Sequence, residues 1–234
     1  MNVEDFIKNK GYVNCMVFHS QPGNGISTRL REINKNMTGK LPCLYYSARH
    51  ISGSLLKPSE RKIWADNLFS YNLIILDDID YWYNKKKAAT DFIHWLTVKI
   101  RHSEGKVILG CSNPKKDWTR SVNFSAGFNH FRIEISNPSY IDILTLLQNL
   151  CQYEYCIPEK LLHHIALYNG TFSQYINCLI SVRFQSKLSG LNLFKMSENE
   201  WNEKFKIKSF FPQYQLRKAF LSEWEFKPSN PILS

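Results

Sequence analysis

The chain has 234 residues, 44% of them hydrophobic, and a formal net charge of +10. That length suits one α/β domain with a smaller helical companion, each able to bury an ordinary apolar core. No apolar run reaches the ~18 residues that a membrane helix needs, and Met1-Asn2-Val3-Glu4-Asp5-Phe6 lacks the basic and apolar regions of a secretory signal, so a cytoplasmic protein with no membrane partner is expected.

Taken in chain order, a short helix over residues 3–9 precedes a buried strand over 13–18. The strand runs into Ser20-Gln21-Pro22-Gly23-Asn24-Gly25-Ile26-Ser27-Thr28, and a helix is predicted over 26–36. A phosphate-binding loop has the pattern G-x-x-x-x-G-K-[ST] between a strand and a helix. Here Ser20 stands at the first glycine, Gly25 at the second, Ile26 at the lysine and Ser27 at the hydroxyl. Glycines let backbone N–H groups curl around an anion at a helix N-terminus. The lysine neutralises phosphate charge, and isoleucine cannot. Gly23, Asn24, Gly25, Ile26, Ser27 and Thr28 are therefore candidate nucleotide contacts without their principal cation. The competing reading is a loop that keeps only its structural turn.

Residues 41–47 read as the next strand, followed by a helical region over 59–69. The run Asn72-Leu73-Ile74-Ile75-Leu76-Asp77-Asp78-Ile79-Asp80 is apolar and then acidic. It suits a central parallel strand, buried on both faces, whose terminal carboxylates in a phosphate-binding enzyme would hold Mg²⁺ and orient water. Asp77 and Asp78 join the candidate site, with Ser27 and Asp77 as the Mg²⁺ ligands if nucleotide binds. Otherwise the two acids cap a buried strand and would pair with Lys115 or Lys116. A helix over 87–103 and strands over 106–112 and 131–135 complete an alternating pattern, which implies a parallel sheet with helices on both faces.

From Asn137-Pro138 onward only helical patterns remain. Tyr140, Ile143, Leu144 and Leu147 share a face, Pro158 opens a second helix, a third covers 171–186, and Ser197-Glu198-Asn199-Glu200 carries the signature of a helix cap. The expected organisation is an α/β core over 1–136, a helical lid over 137–205 and an aromatic, basic tail over 206–234. Residues 213–224 of the tail would form an amphipathic helix with Leu216, Ala219, Phe220 and Trp224 on one side. Gly190-Leu191-Asn192-Leu193-Phe194 reads as a lid loop that packs both leucines and the phenylalanine inward. Cys151 and Cys156 ahead of His163 and His164 are read as buried thiols in a helical bundle in preference to a zinc site.

The ordered set of motifs resembles the DnaA/Hda-like AAA+ family, the ATPase domain of the bacterial replication initiator and its shorter regulatory relative. Ser20 to Ser27 is similar to Walker A and Leu73 to Asp80 to Walker B. Val107-Ile108-Leu109-Gly110-Cys111-Ser112-Asn113-Pro114 is similar to the sensor 1 strand, and Phe131 to Leu147, Ile157-Pro158-Glu159-Lys160 and Asn169 to Leu179 to the last strand and lid. The resemblance covers about residues 10–205 and implies a P-loop AAA+ three-layer α/β core with a small all-helical lid. The departures are as informative. The family's P-loop lysine falls at Ile26, its arginine finger near Gly127 and its sensor 2 arginine at Ser173.

Loss of three phosphate-facing cations together implies a pseudo-ATPase with no catalytic residues. No cofactor is expected, and Gly23, Gly25, Ser27 and Asp77 retain at most weak ATP or ADP affinity with Mg²⁺. The resemblance further implies a regulator or assistant of replication initiation, with partners among a replication initiator or other AAA+ protein, a replicative helicase, a sliding clamp and single-stranded DNA. Arg49, Lys57, Arg61 and Lys62, beside Trp64 and Phe69, occupy the region that contacts single strands in that family; the competing reading is one amphipathic helix that buries Trp64 and Phe69 while its charges face water. The alternatives are an active helicase-loader or transposition-type ATPase, and a nucleic-acid-binding scaffold.

Overall fold

Five apolar runs pair side by side in one all-parallel sheet, in the order β2-β3-β4-β1-β5. The strands are β1 Cys15–Ser20, β2 Cys43–Ser47, β3 Leu73–Asp77, β4 Lys106–Cys111 and β5 His130–Ile135. The computed structural model describes residues 3–8, 13–51, 70–101, 104–121, 124, 129–151 and 157–211. The expected helices over 59–69 and 213–224 lie outside these residues.

The inner strands β1, β3 and β4 are buried at every position. Helices cover both faces of such a strand, so it reads as an unbroken apolar run. On one face lies α2 (Ile26–Thr38), whose Ile26, Leu30, Ile33 and Met37 recur at helical spacing and meet Met16, Phe18, Leu73, Ile75 and Ile108. The short α1 (Val3–Lys8) adds Phe6 to that layer. The other face takes α3 (Lys86–Arg101), through Ala89, Phe92, Ile93, Leu96 and Ile100 packed on Cys15, Val17, Ile74, Leu76, Val107 and Leu109. A buried lysine ties the N-terminal segment to β4. Lys106 Nζ donates to the Val13 carbonyl at 2.9 Å and lies 5.3 Å from the centre of the Phe6 ring.

The chain divides into two compact units, Met1–Asn137 and Pro138–Ser234. The second is built from α4 (Tyr140–Cys151), α5 (Glu159–Ala166), α6 (Phe172–Ser189) and α7 (Glu198–Phe205) around its own core. The cap legible at Ser197 is present: Ser197 Oγ accepts from the Glu200 N–H at 3.3 Å, and Glu200 Oε2 accepts from the Ser197 N–H at 2.6 Å. These bonds favour the charged carboxylate and hold the Glu200 pKa below its usual value. One expectation fails here. Leu193 is buried and Leu191 partly so, but Phe194 is 63% exposed. Residues 193–195 form a 3-10 turn, capped where the Asn192 side chain accepts from the Phe194 N–H. Neighbours in such a turn stand about 120° apart, so seating Leu193 inward turns Phe194 out.

The described cysteines Cys15, Cys43, Cys111 and Cys178 are free thiols. Cys156 lies outside the described residues, and among the described residues no group of His, Cys, Asp or Glu is placed to hold a metal ion.

Candidate phosphate-binding loop and acidic strand tip

The loop between β1 and α2 carries two glycines in the left-handed region, Gly23 at φ 90° and Gly25 at φ 77°. Gly25 forms the N-cap of α2, and a Cβ built there would meet nothing within 4 Å. The glycine is therefore required by backbone conformation, not by space. Asn24 is buried, and its Nδ2 donates to Asn137 Oδ1 at 2.9 Å, which fastens the loop to the segment after β5. The other side-chain atom, Asn24 Oδ1, is buried without a hydrogen bond. Ser27 is half-buried and Thr28 exposed on the first turn of α2, and no side chain caps that turn. Turn and helix N-terminus together retain the shape of an anion cradle.

Ile26 departs from that chemistry in position as well as in type. It is 2% exposed and belongs to the core beneath α2. Gly110 on β4 lets α2 and β3 close over the strand. A Cβ there would stand 2.5 Å from Leu30 Cδ1, 2.7 Å from Asp77 Oδ1 and 3.1 Å from Ile26 Cγ2. The residue at the lysine position thus sits beside the strand-tip carboxylate, but as part of the packing.

Asp77 is 1% exposed and already has two donors. The Tyr45 hydroxyl donates to Oδ2 at 2.7 Å and the Asp78 N–H to Oδ1 at 2.8 Å. Burial raises the Tyr45 pKa, and the hydrogen bond to Asp77 adds to the rise, against the opposing influence of Arg31. Asp78, held at φ 55°, accepts from Ser47 Oγ at 2.8 Å and pairs with Arg49 Nε at 3.2 Å. The expected pairing of these acids with Lys115 or Lys116 is not found. Register explains why: Ser47 lies directly across from Asp77, so the residues after β2 reach the acids first. Lys115 and Lys116 are held at the surface by the 3-10 turn Pro114–Lys116. Asp80, whose pKa burial pushes up, accepts from the Ser112 N–H at 3.3 Å.

A polar cluster that the sequence did not announce covers the β5 edge of the same unit. Asp117 has a fully buried side chain and binds Arg132, with Arg120 Nε at 3.2 Å. Thr119 Oγ1 donates to Asp117 and accepts from Arg132 Nη1 at 2.6 Å. Arg120 Nη2 donates to His19 Nδ1 at 3.1 Å. A guanidinium has no acceptor, so this nitrogen of His19 is unprotonated. Burial lowers the His19 pKa first, and the charges of Arg132 and Arg120 lower it further. His19 directly precedes the loop, so the cluster braces its entry. The only sequence signal was the spacing of Asp117, Thr119 and Arg120.

No family model matches the chain, and no curated protein does. Solved structures match it with confidence. Domain III of the Thermotoga maritima replication initiation protein DnaA superposes with a TM-score of 0.65 at 12% identity, over 89% of each chain. Replication initiator DnaA bound to AMPPCP and single-stranded DNA gives 0.61 at 14% identity, over 87% of this chain and 62% of that one. The Aeropyrum pernix ORC2 protein in its ADP form gives 0.57 at 13%, over 87% of this chain and 65% of that one. The fold is DnaA-like AAA+. This chain spans less than two thirds of the second and third of these.

On this DnaA-like frame the sequence-derived nucleic-acid set divides. Arg49 is engaged with Asp78, with its side chain 63% exposed, and Lys57, Arg61 and Lys62 lie outside the described residues. A different exposed stretch follows β3. Tyr81 is 65% exposed and Tyr83 42%, and Asn84, Lys85, Lys86 and Lys87 follow them at the surface. Trp82 between them is buried and stacks edge-on with Phe92, which fixes the tyrosines outward. Of the family's remaining cation positions, Ser173 stands exposed at the start of α6, and Gly127 lies outside the described residues.

Proposed function

We propose that this chain is a DnaA-like AAA+ protein that works without nucleotide turnover and regulates or assists DNA replication initiation through contacts with an initiator, another AAA+ protein, a replicative helicase or a sliding clamp. One observation carries the reading: the residue at the phosphate-binding lysine position, Ile26, is 2% exposed inside the core. Phosphoryl transfer relies almost wholly on positioned cations and metal, and Asp77, the acid a metal would need, already receives the Tyr45 hydroxyl. Calorimetry with ATP and with ADP, each with Mg²⁺, tests it on the intact chain. Absence of binding at millimolar nucleotide is the expected result. Micromolar affinity would overturn the reading and favour a helicase-loader or transposition-type ATPase that recruits its cations from elsewhere.

Single-stranded DNA is the further ligand we assign to this reading. One of the similar DnaA structures holds such a strand, and the exposed Tyr81, Tyr83 and Lys85–Lys87 supply what binding requires: faces for bases to stack on and charge for the backbone. The net charge of +10 points the same way.

A further inference from the structure

Strands β2, β3 and β4 lie side by side in that order and all point the same way. The segments that leave their carboxyl ends therefore share one edge of the sheet, with strand tips about 4.8 Å apart. Those segments are fastened to one another. Arg49, after β2, pairs with Asp78, after β3, at 3.2 Å. Trp118, after β4, donates its indole N–H to the Ile79 carbonyl at 2.9 Å, and the Ser112 N–H donates to Asp80 Oδ1 at 3.3 Å. The acids of this edge are engaged or covered: Asp78 by Arg49 and Ser47, Asp80 by Ser112, and Asp117 by Arg120 and Arg132. Across residues 47–51, 78–87 and 112–120 no Asp or Glu is exposed, whereas each of the three segments exposes a Lys or an Arg.

Lys115 and Lys116 are the cations of this edge that nothing else uses. Their turn is held by Asn113, whose side chain accepts from the Lys115 N–H at 3.1 Å and whose carbonyl accepts from the Lys116 N–H at 2.9 Å. Both side chains are exposed, and among the described residues neither ammonium has an ion-pair partner. We propose that a single strand stacked on Tyr81 and Tyr83 continues across the tip of β4, with its phosphates on Lys115 and Lys116. The proposal rests on the single-strand reading above and adds the course of the strand. Ligands of open parallel sheets lie outside the carboxyl ends of the strands, and an edge of one sign draws a polyanion along it. Tyr81 stands two residues after Ile79 and Lys116 two before Trp118, so the bond between Ile79 and Trp118 keeps platform and lysines within the ~4–16 nucleotides that a single-strand groove covers. Residues 112–120 expose no aromatic ring, since Trp118 is buried. On that side the backbone is gripped and no base is stacked.

Fluorescence anisotropy of a labelled oligothymidine, titrated with salt from about 50 to 200 mM on the full chain, tests it. Each phosphate contact on a single strand contributes ~0.7 to the salt slope, so Lys115→Gln combined with Lys116→Gln should lower the slope by ~1.4 and weaken binding ~25-fold at 0.1 M salt. Lys35→Gln combined with Lys40→Gln removes the same charge from the other end of the sheet, because α2 runs back from the loop toward the start of β2, and should leave the slope unchanged. All four positions are exposed, and unchanged melting temperatures check that both double variants fold. An equal fall of the slope in both would overturn the proposal in favour of undirected attraction by net charge. A slope unmoved by the changes at 115 and 116 would also overturn it, and the single-strand reading would stand if Tyr81→Ala or Tyr83→Ala still weakened binding. A wild type that binds no oligothymidine would overturn both.

Discussion

The hydroxyl of Tyr45 on β2 donates to Oδ2 of Asp77 on β3 at 2.7 Å. The bond crosses the strand tip where a metal-binding acid would need its oxygen free, and it satisfies a carboxylate that is 1% exposed. Tyr45→Phe keeps the ring and removes the donor. A buried acceptor left short of a partner costs about 1–3 kcal/mol. Urea denaturation should show that loss as a lower midpoint with an unchanged slope. An unmoved midpoint would mean that the hydroxyl does not hold the tip.

The same tyrosine sets a direction with pH. Burial and the bond to Asp77 raise its pKa above 10.0, and burial raises Cys43 to about 11 and Cys111 and Cys178 to about 12 from 9.0. Each group is neutral when protonated, so the folded state holds its proton more tightly than the unfolded chain. The resulting stability is fully present below about pH 9 and is lost as pH rises through the raised values. Thermal melts from pH 7 to 11 are expected to fall above pH 9, less steeply in Tyr45→Phe. Thiol reagents should leave Cys111 and Cys178 unmodified until the protein unfolds.

Asp117 is the hub of the β5 edge. Asp117→Asn strands Arg132, and breaking a buried pair from one side costs about 3 kcal/mol, the low end of the range because Arg132 keeps a quarter of its side chain in solvent. Replacing both partners, as Asp117→Leu with Arg132→Met, should recover much of the loss. A double variant no more stable than Asp117→Asn would show that Thr119 and Arg120 need the carboxylate for reasons beyond charge.

Ile26→Lys separates sequence from position. The new ammonium would start inside a 2% exposed site, where an unpaired charge is costly enough to force it outward or to loosen α2. The melting temperature should fall, and Mg²⁺–ATP binding should remain absent while Tyr45 occupies Asp77. Micromolar binding by the single variant would mean that Ile26 alone had closed the site.

Fluorescence anisotropy with an oligothymidine reports on the exposed tyrosines. Tyr81→Ala and Tyr83→Ala should each weaken binding by about 1–3 kcal/mol if bases stack there. Each of Lys85, Lys86 and Lys87 changed to Gln should lower the salt slope by ~0.7 if it meets a phosphate. An unchanged slope in all three would move the strand elsewhere.

The sheet was legible because its inner strands have no solvent face. Cys15–Ser20, Leu73–Asp77 and Lys106–Cys111 needed only their apolar runs. The loop was legible from Gly23 and Gly25, whose conformations few other residues adopt. The partners of the acids were not, because register decides them. Tyr45 and Asp77 are 32 residues apart and meet only once β2 lies beside β3, and Arg49 forestalled Lys115 and Lys116 for the same reason. Asp117, Arg132 and His19 come from three separate segments, so no local pattern could unite them. Phe194 was misjudged because its hydrophobicity was read without the turn that faces it outward.

Ile26 fastens the start of α2 to the sheet from within. On the function proposed above, a loop whose shape is written into its own core would have no clock: nothing would be consumed in holding it, and nothing released when the hold ends. Among neighbours timed by what they bind, a member built this way would be a fixed seat, and its abundance, not its state, would set how many such seats exist.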